Sequence, residues 1–353
     1  MKPKPSSTAR RIVDDEQRRS QFLGDPTALD RLAQLSYDLL AIRSACAYTQ
    51  LIAARIASMR HRFSEARAHL VTGEALGAPQ AEAELLRLDL HQAVGVNLAA
   101  VLAARRATAN ATGALQHRVA LGVLLTDLGE FESADRTHVR GIGQYRNVSP
   151  FALAWVCFQL GMLWGETVPT PDPDRARSWY HRALEYLPAY TNARVHLAEL
   201  DLETGALESA ESLLRPVVES GEPEVRWRLA QVLAAQGRAA EAAVECAAAR
   251  AAFEALLARH ELAFADHATE FYMSSGADLE RACTLAHRNL ANRPTLRAFE
   301  LTHKAARASG GDRLAFDLAL RAQAQWGDIK AFAYSPMTDA FGQIGSDIGG
   351  DKL

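Results

Sequence analysis

Leu29, Leu32, Leu35, Leu39 and Leu40 follow one another at spacings of three, three, four and one, which places them along one face of an α-helix. Asp25-Pro26 just before them supplies a capping side chain and a proline suited to a first helical turn. This predicts a capping helix over residues 25–46. Residues 1–24 are polar and charged without periodicity and read as a flexible leader. Beyond residue 46 the apolar pattern repeats. Ala66, Ala100, Ala134, Ala176, Ala210, Ala242 and Ala282 lie 34, 34, 42, 34, 32 and 40 residues apart. A period near 34 predicts pairs of helices that stack, each pair burying the apolar face of the last.

The repeats can be set in register over residues 47–333. Small residues at Ala54, Gly122, Gly161, Ala198 and Ala230 let the first helix of a pair, helix A, approach the second, helix B. Gly129, Gly205 and Gly237 supply the left-handed residue that ends helix A, and Pro188 and Pro294 stop helix B. The fourth pair is widened by the loop Thr167–Asp174, and the second helix of the sixth runs long, through Phe253 to His260. Phe299, Leu301, Ala315 and Ala319 suggest an eighth pair, and residues 334–353, rich in Gly and Asp, read as a tail.

The order Leu-Gly, aromatic, Ala, aromatic, Ala and Pro at these offsets resembles the tetratricopeptide repeat (TPR) family from Ala47 to Pro294. The second copy lacks the Leu-Gly signal, and the third has His138 where an aromatic or leucine is usual. The resemblance implies an all-α, right-handed superhelical solenoid of about seven to eight TPR-like repeats. It also implies that helix A lines a concave face with residues 2, 5, 6, 9, 12 and 13 of each repeat. Carried onto this chain, those positions include Tyr48, Leu51 and Arg55 in the first repeat, and Gln116, Val119, Thr126 and Asp127 in the third. The fourth offers Trp155, Phe158, Gln159, Met162 and Glu166, and the fifth Asn192, Val195, His196, Glu199 and Glu203. The sixth offers Trp227, Arg228 and Gln231, and the seventh Asp266, His267 and Glu270. On this reading Trp155, Phe158 and Trp227 are aromatic anchors, and an excess of carboxylates favours a basic or amine-bearing client. Burial between adjacent A helices is the competing reading for the aromatics. A lysine clamp for a client's C-terminal carboxylate is not supported, because the matching positions hold Asn192, His196 and Arg228 and no lysine.

Composition narrows the function further. A net charge of −3 gives no basic face for nucleic acid. Cys46, Cys157, Cys246 and Cys283 are far apart, so neither a metal cluster nor a redox pair is predicted. His260 and His267 would share a face of one continuous helix near Glu270, but no further ligand is evident and no metal or cofactor is expected. Phosphate-loop, dinucleotide-binding and nucleophile-elbow motifs are missing, so catalysis is not expected. No signal-peptide core or membrane-length apolar run is present, and the cytoplasm is the expected compartment. The expected function is an adaptor that holds a protein or peptide client in the groove. A ligand- or peptide-responsive sensor hinged at Thr167–Asp174 and the sixth repeat is a second reading. An accessory subunit of a biosynthetic enzyme is a third.

Overall fold

A computed structural model describes the backbone of residues 5–341 and the side chains of residues 8–341. It is all-α, with no strand among the described residues. In chain order the helices are α1 (Pro5–Leu23), α2 (Ala28–Arg43), α3 (Ala47–Met59), α4 (Phe63–Ala75), α5 (Gln80–Ala93) and α6 (Leu98–Thr112). They continue as α7 (Leu115–Asp127), α8 (Phe131–Gln144), α9 (Pro150–Met162), α10 (Pro173–Tyr186), α11 (Thr191–Glu203) and α12 (Leu207–Leu214). The last five are α13 (Pro223–Ala235), α14 (Ala239–Met273), α15 (Leu279–Asn292), α16 (Leu296–Ala308) and α17 (Asp312–Trp326). Two compact units can be distinguished, residues 1–97 with 187–265, and residues 98–186 with 266–353. Helix α14 passes from one unit into the other.

In the first unit, the α3–α4 and α11–α12 pairs each gather a small residue and a leucine into one buried cluster. Ala54 of α3 and Leu70 of α4 share one buried cluster with Leu51, Phe63 and Ala66. Ala198 of α11 and Leu214 of α12 share another with Ala210, Val225 and Leu229. The turn after α3 puts His61 at φ 53, in the left-handed slot that Gly129, Gly205 and Gly237 fill at φ 78, 75 and 78. The His61 ring is held there by Phe63, stacked at 5.3 Å, and by the Leu262 carbonyl, 3.1 Å from its Nδ1.

Residues 5–23 are not a flexible leader. They form α1, which buries Ala9, Val13 and Phe22 in spite of its polar composition. Ala9 and Val13 enter a cluster with Leu29 and Leu32 of α2 and Ile52 and Ile56 of α3. Phe22 meets the fully buried Tyr190 edge-on at 4.9 Å. Asp25 does not cap α2 directly. It accepts the Thr27 amide at 3.1 Å, in a turn just ahead of the helix. The start of α2 is held against α14, where the His260 backbone leaves helical geometry at φ −139, ψ 45. There His260 Nε2 lies 2.7 Å from Asp30 Oδ1, and Arg259 pairs with the same carboxylate.

The second unit repeats the packing with rings in place of leucine. Gly122 of α7 faces His138 of α8, and Gly161 of α9 faces Tyr180 of α10, each too closely for a Cβ. The widened loop is pinned rather than slack. The Asp172 amide donates to the Trp164 carbonyl at 2.8 Å, and Val168 is buried. Asp135 accepts from Trp164 Nε1 at 2.9 Å and from Arg175 Nη2 at 2.7 Å. Arg175 also stacks 3.6 Å above the Trp164 ring. Helices α16 and α17 form the eighth pair around Phe299, Leu318 and Trp326. Residues 327–338 then cross the α7–α8 turn, where the Ala331 amide donates to Leu128 at 3.2 Å and Tyr334 packs 5.7 Å from Phe131. Residues 342–353, the greater part of the sequence-predicted tail, lie outside the described residues.

His138 is 1% exposed and its Nδ1 has no hydrogen-bond partner, so burial pushes the imidazole from 6.5 down to about 4. Above pH 6.5 the folded and unfolded chains both hold the neutral ring, and stability does not depend on it. As pH falls through the interval between the two values, only the unfolded chain takes up the proton, and stability is lost. We predict a loss of about 2 kcal/mol from this residue between pH 7 and pH 5. Denaturant titrations at the two pH values should show it in the wild type and not in His138→Phe.

Candidate partner-binding face

Residues at repeat position 5 lie three before the small residue of the A–B contact, so they share its helix face and turn inward. Leu51, Val119, Phe158, Val195 and Trp227 occupy that position and all are buried. Two of the three proposed anchors are therefore core residues: Phe158 is 6% exposed and Trp227 is 2% exposed. Phe158 packs 5.8 Å from the Tyr180 ring and stacks 5.9 Å from Trp155. Trp155, at position 2, remains half-buried. The burial reading wins for Phe158 and Trp227 because position 5 belongs to the seam of the repeat.

In the first unit, α11 and α13 present the remaining predicted residues on successive A helices. Asn192, His196, Glu199, Arg228 and Gln231 are half-buried, and Glu203 is exposed. Glu199 is shared between two partners, with His196 Nδ1 at 3.2 Å and the Arg228 guanidinium in a direct ion pair. Arg228 lies 3.6 Å over the Trp227 ring and donates to Gln231 at 3.2 Å. The buried tryptophan is thus a platform that orients the arginine, a role invisible to residue-by-residue transfer. The Asn192 side chain makes no hydrogen bond to another described residue.

In the second unit, Gln159 and Met162 of α9 are half-buried, as are His267 and Glu270 at the end of α14. Asp266 is 5% exposed and paired with Arg293. Glu270 lies 3.3 Å from Arg297, and His267 Nε2 lies 4.0 Å from Asp266. Three of the six carboxylates at the predicted face positions, Glu199, Asp266 and Glu270, are paired with arginines, and Asp127, Glu166 and Glu203 are exposed. The excess of acid read from the sequence does not make a uniform acidic wall. The break at His260 also removes the seven-residue register on which a shared His260/His267 face depended. The His260 imidazole is committed to Asp30, and burial lowers its pKa.

All four cysteines are unpaired in disulfides, and burial pushes the Cys157 thiol up to about 12, which suits an inert core residue. No described helix is long and apolar enough to cross a membrane.

A family model described as Tetratricopeptide repeat matches residues 172–221, which span α10 to the end of α12 and the turn beyond it. Similar solved structures include the APC/C hetero-tetramer Cut9–Hcn1, 13% identical with a TM-score of 0.45, covering 89% of this chain and 59% of that one. The chain thus spans less than two thirds of that protein. Yeast Tom70 is 11% identical with a TM-score of 0.36, covering 99% of this chain and 98% of that one. The apo form of the quorum sensor NprR from B. thuringiensis is 15% identical with a TM-score of 0.42, covering 82% and 80%. No curated protein matches the sequence.

Because Trp227 fills the seam rather than the surface, Trp227→Ala should destabilise the fold by about 3 kcal/mol. Equilibrium urea unfolding measures this. Wild-type stability in the variant would return Trp227 to the exposed face.

Proposed function

We propose that this chain, a helical-repeat protein of the tetratricopeptide type, is a non-catalytic scaffold that holds a segment of another protein on the A-helix face of α11 and α13. The observation that carries this reading is the polar row Asn192, His196, Glu199, Arg228 and Gln231 on two successive A helices. A repeat core needs apolar residues, and a solvated face needs no network. Here Glu199, Arg228 and Gln231 are tied together over the Trp227 ring, so their side-chain entropy is largely spent before any partner arrives. Asn192 and Gln231 supply amides that can both donate and accept, the groups needed to read a peptide backbone. Glu203 at the exposed end adds one carboxylate for a basic residue of the client. Cytoplasmic location accords with this reading and is part of the proposal.

The test is a tagged pull-down from the native organism with wild type beside the Asn192→Ala/Arg228→Ala double variant. Removing two such contacts should weaken retention of the client by about tenfold or more at unchanged fold. Equal retention by a double variant with wild-type circular dichroism would end this assignment.

A further inference from the structure

Helix α1 lies over positions that the family resemblance gives to ligands. Arg10 sits 4.9 Å above the ring of Tyr48, which is position 2 of the first repeat. The same guanidinium reaches Glu82 on α5 with two hydrogen bonds. Asp14 pairs with Arg55, position 9 of the first repeat, at 2.6 Å, and Gln17 accepts from the same arginine. Glu16 holds Arg31 of α2 at 2.6 Å. A helix lying in register across the faces of A helices is the way helix-in-groove recognition works.

The hold on α1 is thin compared with that on α3, and α2 and α5 likewise bury three residues each. Only Ala9, Val13 and Phe22 of its described side chains are buried, whereas α3 buries eight residues in 13. The side chains of the Arg10–Glu82 and Arg55–Asp14 pairs remain 38–41% exposed, where ion pairs contribute little. A joint of defined geometry follows: Gly24 at φ 61, fitted against Thr191 and Glu222. The glycine stays anchored while the helix before it is held by few contacts.

We propose that α1 is a resident ligand, and that the α3–α5 surface beneath it is the docking site of an amphipathic helix from a partner protein, which displaces α1 on binding. The partner helix is defined by what α1 presents. It carries a narrow ridge of a small, a β-branched and an aromatic residue. Acidic groups beside the ridge face Arg55 and Arg31, and one basic group faces Tyr48 and Glu82. This site is separate from the α11–α13 face, and either can fail without the other.

The probe is a fluorescein-labelled peptide of residues 5–23, titrated into full-length protein and read by anisotropy. Val13→Glu, which loosens α1 in place, should bind the peptide about tenfold more tightly than wild type does. Adding Arg55→Glu to that variant should reverse the gain, and a peptide carrying Glu at position 13 should not bind. Hydrogen exchange on the wild-type chain gives a reading that needs no variant. The α1 amides should exchange at least about tenfold faster than those of α3. Exchange of α1 and α3 at one common rate would make α1 an integral part of the array and overturn the proposal, even if Val13→Glu fails to fold. Absence of peptide binding to a folded Val13→Glu would also overturn it. A concentration-dependent dimer that Val13→Glu abolishes would assign the surface to α1 of a second copy instead of a partner.

Discussion

The close approach of helix A to helix B, one small residue against one large one, is the contact on which the rest of this protein is built. Glycine stands on helix A where helix B brings a ring, as at Gly122 with His138 and Gly161 with Tyr180. Alanine stands there where helix B brings leucine, as at Ala54 with Leu70 and Ala198 with Leu214. The third pair meets this rule with an imidazole, and the cost is a buried ring nitrogen without a partner.

That contact also decides which residues can meet a partner. Helix periodicity ties position 5 to the small residue at position 8, so whatever stands at position 5 is drawn inside, even tryptophan. What remains for recognition on α11 and α13 is polar, and it is held by its own ion pairs. On the proposed function, such a surface selects partners by placed hydrogen bonds more than by net charge.

Much of the array was legible in the sequence because its signals are local. The alanine period, the turn glycines and the small residues at position 8 each follow from a single helix–helix contact. The binding face was legible only in part. Of the residues predicted to meet a partner, Asn192, Glu199 and Arg228 are half-buried on helix A, while Phe158 and Trp227 are buried, because position 5 was carried over from the family pattern as a surface position. The arginines that neutralise Asp266 and Glu270, Arg293 and Arg297, stand 27 residues further on in each case, beyond the reach of a pattern read within one helix. Helix α1 was missed for a related reason: its apolar face is sparse within a strongly polar composition, with Ala9, Val13 and Phe22 buried among the described residues 8–23. The break at His260 lies where its imidazole meets Asp30, 230 residues away, a contact no local pattern could announce.

On the function proposed above, a protein partner meets the A-helix face and not the outer B-helix face. A photo-crosslinking amino acid at Glu203, exposed at the end of α11, compared with one at Val244, 67% exposed on α14, tests it directly. Irradiation in cells should give a discrete protein adduct from position 203 and none from position 244. An adduct from position 244 alone would contradict the account and move recognition to the B helices.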